Sequence, residues 1–429
     1  MFSRFVRSAG RRVCFRTVDQ PHRELAHHHA YRVTLPLTVA VTLPGLLTRF
    51  GVLHVDPAFE AVLFGVAVFG AAFMLSWAAE VAQLDISQTL AIAVLALIAV
   101  LPEYAVDLVL AYRAGQGDEE KLHLAVANMT GANRLLIGLG WATVVLIFWF
   151  KTKKRELVLK PTQRIDVGYL LIATLWAFTI PIRGQLSLID LVVLGSLFTA
   201  YILRAAKEEV EEPELIGAAA AIGILPTALR RTVTLVMFVF SATTILLVAE
   251  PFAESLIHIG EEFGISKFLL IQWVAPLASE APEMIIAILF VLRLKAQAGL
   301  GTLISSKVNQ WTLLVGTLPL VYGLAGGGGE GFLAPMQMDS RQVEEVFLTA
   351  AQSLFAVAVI ANLSINRWEA MGLLVLFLAQ FGFEDPEVRY GFAFGYLALT
   401  LVILVASRRA RSGLWSSLRH VFRRRASVG

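Results

Sequence analysis

An all-α polytopic membrane protein is the fold class this sequence predicts, with about 12 transmembrane helices in two inverted-topology repeats. Three observations predict it. Of 429 residues, 57% are hydrophobic and 16% charged, with a mean hydropathy of +0.70; a soluble domain is about a quarter charged. Several windows exceed about 18 apolar residues, enough to cross about 30 Å of hydrocarbon. One phrase also occurs twice, 180 residues apart: Leu101-Pro102-Glu103 and Ala281-Pro282-Glu283, each inside a long apolar stretch.

The elements follow in order. Residues 1–33 read as a cytoplasmic basic tail, with Arg4, Arg7, Arg11, Arg12, Arg16, Arg23 and Arg32 and the run His27-His28-His29. It has no apolar core followed by a small-residue cleavage site, so no cleaved signal peptide is expected. The single cysteine, Cys14, excludes an intrachain disulfide and a cysteine metal centre. Apolar segments then run over roughly 34–54, 58–80, 86–114, 121–150, 166–182, 186–206, 231–250, 265–293, 298–322, 342–362, 366–383 and 388–408. The first transmembrane half is 34–206, with its repeat core near 86–150. The second is 231–408, with its core near 265–322. Between them, 207–230 reads as a cytoplasmic linker with the acidic run Glu208–Glu212 and room for a short surface helix. Residues 409–429 form a second basic tail, and no separate soluble domain is expected.

Charge sets the sidedness. With the N-terminus inside, the inside connections include 151–165, with Lys151, Lys153, Lys154, Arg155, Lys160 and Arg164, and the end of 207–230, with Arg230-Arg231. The outside connections carry Asp118-Glu119-Glu120, Glu261-Glu262 and Glu384-Asp385. Positive charge thus falls inside, as membrane insertion requires, and both termini are expected in the cytoplasm of a cell (inner) membrane. This accounts for the net charge of +3 without nucleic acid. The count also runs the two Pro-Glu segments in opposite directions, the mark of inverted repeats in secondary transporters.

Proline within a helix removes a hydrogen bond and frees a carbonyl one turn back. In lipid this is tolerated only against protein or a hydrated cavity. Pro102 and Pro282 therefore mark helix breaks, and Glu103 and Glu283 add carboxylates beside them. Such oxygen donors suit hard cations, and an acid at membrane depth is a functional candidate by default. Asp107 shares a helix face with Glu103. Glu280 and Ser279 precede Glu283. The following segments bring Asn128, Thr130, Gly131 and Asn133 in the first half, and Thr302, Ser305, Ser306 and Asn309 in the second. For any one of these amides or hydroxyls, an interhelical hydrogen bond is the plainer role.

These residues resemble the alpha-repeats of the calcium:cation antiporter superfamily, which includes sodium/calcium and proton/calcium exchangers. The resemblance covers roughly 95–142 and 275–316. It implies that Glu103 and Glu283 are the central cation ligands, with Asn128, Asn133, Ser279, Ser305, Ser306 and Asn309 around them and Asp107 and Glu280 as added acids. It implies transported Ca²⁺, Na⁺ or H⁺ and no cofactor. The sequence departs from the pattern at Ala99-Val100, where two hydroxyls are usual, and at two cations, Arg134 and Lys307. These cations are expected either to pair with Asp107 and Glu280, since an unpaired buried charge is destabilising, or to replace a transported ion.

The function expected is antiport of Ca²⁺, or a related cation, against Na⁺ or H⁺ by alternating access. A sodium/proton exchanger on the same scaffold is one alternative. A non-transporting membrane scaffold with a salt-bridge-locked site is another. No His-Glu-x-x-His or Gly-x-Ser-x-Gly motif points to an enzyme. The oligomeric state is open.

Overall fold

A computed structural model describes residues 20–86, 88–207, 215, 217–264, 273, 275–380, 383 and 385–422. Most of the N-terminal basic tail, with Cys14, the acidic run Glu208–Glu212 and the last arginines lie outside the described residues. The helices of the first half are α1 (Gln20–Arg49), α2 (Pro57–Ala82), α3 (Gln88–Ala99), α4 (Leu101–Gly115), α5 (Glu119–Leu135), α6 (Ala142–Thr152), α7 (Arg164–Ala177), α8 (Thr179–Arg183) and α9 (Leu188–Ala205). After α10 (Ala218–Gly223), the second half carries α11 (Thr227–Glu262), α12 (Ala275–Ser279), α13 (Ala281–Leu292), α14 (Ala296–Asn309), α15 (Val315–Leu324), α16 (Ser340–Ile360), α17 (Arg367–Gln380), α18 (Pro386–Ala406) and α19 (Arg408–Phe422).

The two halves share local irregularities. Each Pro-Glu segment is two helices split by one residue, Val100 in one and Glu280 in the other. Each proline sits in the first turn of the second piece, where its missing N–H is tolerated. The next segment of each half contains a wide π turn, Leu136–Trp141 between α5 and α6, and Gln310–Leu314 between α14 and α15. Such turns often mark functional sites. The splits also shorten the helices. Among the described residues seven helices are long and apolar enough to cross a membrane, and neither Pro-Glu segment is one of them.

Two small antiparallel pairings relate the halves. Strand β1 (Glu156–Val158), after α6, pairs with β4 (Ser364–Asn366), after α16. Strand β2 (Gln185–Leu186), after α8, pairs with β3 (Met336–Gln337), after α15. Paired strands must lie on one side of a membrane. The first pair joins two connections that the charge count puts inside, and the second joins two that it puts outside.

The packing forms two bodies. Helices α1, α2, α10 and α11 lie against one another around small clusters such as Met74, Trp77, Ile222 and Met237. The remaining helices share one large core in which Trp141 and Trp311 are fully buried. Helices α4, α12 and α13 bring the Pro-Glu motifs to the boundary, where they meet α2 and α11. One sequence expectation changes here. The helix in the linker is not a surface helix: Ala218, Ala219, Ala221 and Ile222 are buried. Within the C-terminal basic stretch, Arg408–Phe422 form a helix seated on α7. Also, α1 runs on through Pro36 and Pro44, and α11 through Pro251.

Candidate functional site

The split segments place four acids together without water contact. Glu103, Asp107 and Glu283 are completely buried and Glu280 is 1% exposed. Pro102 and Pro282 cannot donate to the carbonyls four residues back, so each break leaves a main-chain oxygen without its helical donor. Glu280 occupies the break itself, close enough to Glu103 and Glu283 for the charges to act on one another. Buried carboxylates this close repel unless a proton or a cation offsets them.

The surroundings are unequal. Asp107 accepts from Asn128 Nδ2 at 2.8 Å, and Glu280 accepts from Gln310 Nε2 at 2.5 Å. Both carboxylate oxygens of Glu103 and both of Glu283 lack a hydrogen-bond partner. Ser306, fully buried, lies beside the Glu283 carboxylate without a well-formed bond to it. Tyr104 donates its hydroxyl to Asn309 Oδ1 at 2.9 Å, tying α4 to α14 across the halves. An unsatisfied buried acceptor costs about 1–3 kcal/mol, more when charged. Four such oxygens in one place make this the candidate site.

Lys307 faces this group from α14. Its ammonium donates to Asn133 Oδ1 at 2.6 Å and to the Asn133 carbonyl at 3.2 Å, and lies 4.3 Å from the Trp311 ring centroid. It sits in the field of Glu103 and Glu280 but forms no ion pair with them. Arg134 points elsewhere. It pairs with Glu345 on α16, donates to the Thr130 carbonyl at 3.3 Å and stacks over Trp273. Glu345 also pairs with Arg389, which pairs with Glu344 at 2.5 Å. The expected pairing of Arg134 and Lys307 with Asp107 and Glu280 is thus not formed: Arg134 has a closer acid on α16, and Lys307 reaches an amide first.

Other residues separate in the same way. Asn133 Nδ2 donates to the Met129 carbonyl at 2.8 Å, leaving its oxygen for Lys307. Ser279 bonds back to the Pro276 carbonyl at 3.2 Å. Ser305 is turned from the acids toward Tyr201, 2.7 Å away; Tyr201 donates to Asp166 at 2.7 Å, so Ser305 must be the donor to Tyr201. Sequence reasoning missed Gln310, Tyr104 and the Glu344-Glu345-Arg389 network. Two adjacent acids inside an otherwise apolar stretch were a readable signal for the last. Among the described residues no set of three or more His, Cys, Asp or Glu side chains forms a ready-made metal centre.

Paired helix breaks and buried acids inside a helical membrane protein are features shared with ion transporters. The comparisons make the class specific. The family model described as sodium/calcium exchanger protein matches residues 58–207 and 233–384. The solved crystal structure of an H⁺/Ca²⁺ exchanger, CAX, is 43% identical, with a TM-score of 0.83 over 92% of this chain and 98% of that one. The sodium-calcium exchanger NCX_Mj, soaked with Na⁺ and Sr²⁺, is 19% identical with TM-scores of 0.52 and 0.55, covering 81% and 77% of this chain and 99% of that one in each case, and so shares the fold. No curated protein matches. The chain belongs to the sodium/calcium exchanger family, within the calcium:cation antiporter superfamily. It is an integral membrane protein of a transporter family that moves Ca²⁺ and other cations by antiport, without a cofactor.

Proposed function

We propose that this protein exchanges Ca²⁺, or a related divalent cation, for protons by alternating access, with Glu103 and Glu283 as the metal ligands near the membrane midplane. The observation that carries this is the four partnerless oxygens of Glu103 and Glu283. Either a divalent cation or protons satisfy them, and the two occupants exclude each other. Asp107 and Glu280 add acceptors, Asn128, Ser279, Ser306, Asn133 and Asn309 complete the polar wall, and the carbonyls freed by Pro102 and Pro282 supply further oxygens. Each occupancy lowers the bare charge, so only loaded states cross between faces. The two halves, 34–206 and 231–408, act as inverted repeats about the site, with both termini in the cytoplasm of a cell (inner) membrane.

Three features favour protons over sodium as the counter-ion. Ala99-Val100 provide no hydroxyls, Ser305 is occupied by Tyr201, and Lys307 places a fixed cation where a further ion would sit. The 43% identical relative is itself an H⁺/Ca²⁺ exchanger. A salt-bridge-locked scaffold loses its basis, since neither Arg134 nor Lys307 pairs with the four acids. The test is purified protein in liposomes with an entrapped pH dye. Added external Ca²⁺ must alkalinise the lumen, and Glu103→Gln or Glu283→Gln must abolish the response. A response to Na⁺ but not Ca²⁺ establishes sodium/proton exchange instead. No response to either from folded protein returns the scaffold reading.

A further inference from the structure

Helix α19 is fixed to the body by one face only. Ala410, Gly413 and Ser417 are buried. A Cβ on Gly413 would lie 2.0 Å from the Ala361 carbonyl oxygen, and one on Gly168 of α7 would lie 2.8 Å from that of Ser417. Arg164 Nη1 donates to the Gly413 carbonyl at 3.4 Å and Arg204 Nη2 to that of His420 at 3.2 Å. The helix is therefore seated, not trailing.

At 100° per residue, the opposite face carries Arg408, Arg411, Trp415, Arg419 and Phe422. All five are exposed, Trp415 by 58% and Phe422 by 75%. Residues 408–422 contain no acid. Arg419 lies 5.0 Å from the Trp415 ring centroid. A guanidinium interleaved with exposed aromatic rings suits the boundary layer of a bilayer, where rings sit at headgroup depth and cations meet phosphate. Position agrees with composition. Helix α18, an apolar candidate span, ends at Ala406, and a single residue, Ser407, separates it from α19. Arg411 Nη1 donates to the Leu404 and Val405 carbonyls at 2.5 and 2.7 Å, so α19 starts at the level where that span ends.

We propose that the outward face of α19 is a docking surface for anionic phospholipid headgroups, with Trp415 and Phe422 seated in the interfacial layer and Arg408, Arg411 and Arg419 on the phosphates. The partner is the bilayer surface itself. Its attraction to the arginines weakens with salt.

The test uses the full chain with Cys14→Ser and a nitroxide at Trp415→Cys or Phe422→Cys, in nanodiscs of phosphatidylcholine with or without phosphatidylglycerol. Power-saturation spectra report access to oxygen, which partitions into lipid, and to an aqueous nickel chelate. Phosphatidylglycerol must raise oxygen access and lower nickel access several-fold at both positions. Arg408→Gln with Arg419→Gln must remove that response. Labels equally open to the nickel chelate in both compositions overturn the proposal, and point to a surface for a soluble partner. The comparison of compositions in the arginine-containing chain decides the matter even if the arginine variant folds poorly.

Discussion

Removing Glu345 leaves two buried arginines without their shared acid. Arg134 and Glu345 are each about 1% exposed, and Arg389 3%. In Glu345→Leu, Arg134 retains only the Thr130 carbonyl and the Trp273 ring, while Arg389 retains Glu344. Breaking a buried ion pair by removing one partner costs about 3–5 kcal/mol, because the survivor stays charged and out of water. Arg134→Met strands the network with a surplus acid and costs about the same. The double variant Arg134→Met/Glu345→Leu leaves the neutral pair Arg389–Glu344, and apolar replacement of a whole pair is often close to neutral. It should recover to within about 1–2 kcal/mol of the natural protein, a coupling of about 3 kcal/mol or more. Thermal unfolding in detergent measures all four corners of the cycle. Additive losses would refute the assignment and return Arg134 to Asp107 or Glu280, whose charges the second substitution does not touch.

Further outcomes follow from other contacts. Glu80, 1% exposed, holds Arg293 at 2.5 Å and Lys295 at 2.7 Å; Glu80→Gln should lower the thermal midpoint, and adding Lys295→Met should restore part of it by removing one of the two cations that had shared the acid. Gly413→Ala drives a methyl into the Ala361 carbonyl and should cost about 1–3 kcal/mol, read as faster proteolysis within 408–422. Asp85, outside the spans, is held below the usual carboxylate range chiefly by its hydrogen bond from Arg231, with Arg230 adding to it. A carboxyl lowered in the fold stabilises above its unfolded pKa and loses that contribution as pH falls through the folded value. Asp85→Asn should therefore cost under about 1 kcal/mol at neutral pH, because the cluster is partly open to solvent and screened. The difference should vanish in strong acid and shrink in high salt.

Much of the architecture was legible because membrane insertion writes simple rules into a chain. Each of the 12 apolar segments contains helix among the described residues, though only seven helices there are long and apolar enough to span, and the strand pairs join connections that the charge pattern had put on a common side. The linker and tail read less well. Residues 218–223 are small and apolar, which suits a surface turn or a buried helix equally, and it is the neighbouring α1, α2 and α11 that bury them. At the site, the four acids and the two prolines were visible as charges and breaks where apolar helix was expected. Gln310 and Tyr104 were not, since an amide or a phenol inside a span carries no warning of its own.

What the sequence determined by itself is the repeated Pro-Glu segment, its reversal between the halves and the presence of acids within it. These depend on periodicity, charge and covalent chemistry, which act wherever the chain goes. What only the tertiary structure decided is which charge answers which. Arg134 and Asn133 are adjacent in sequence, yet one turns toward Glu345 and the other receives Lys307. Successive residues on a helix point about 100° apart, so neighbours in the chain face different partners. The choice of partner rests on α16, more than 200 residues further along the chain, whose place beside α5 is a matter of packing.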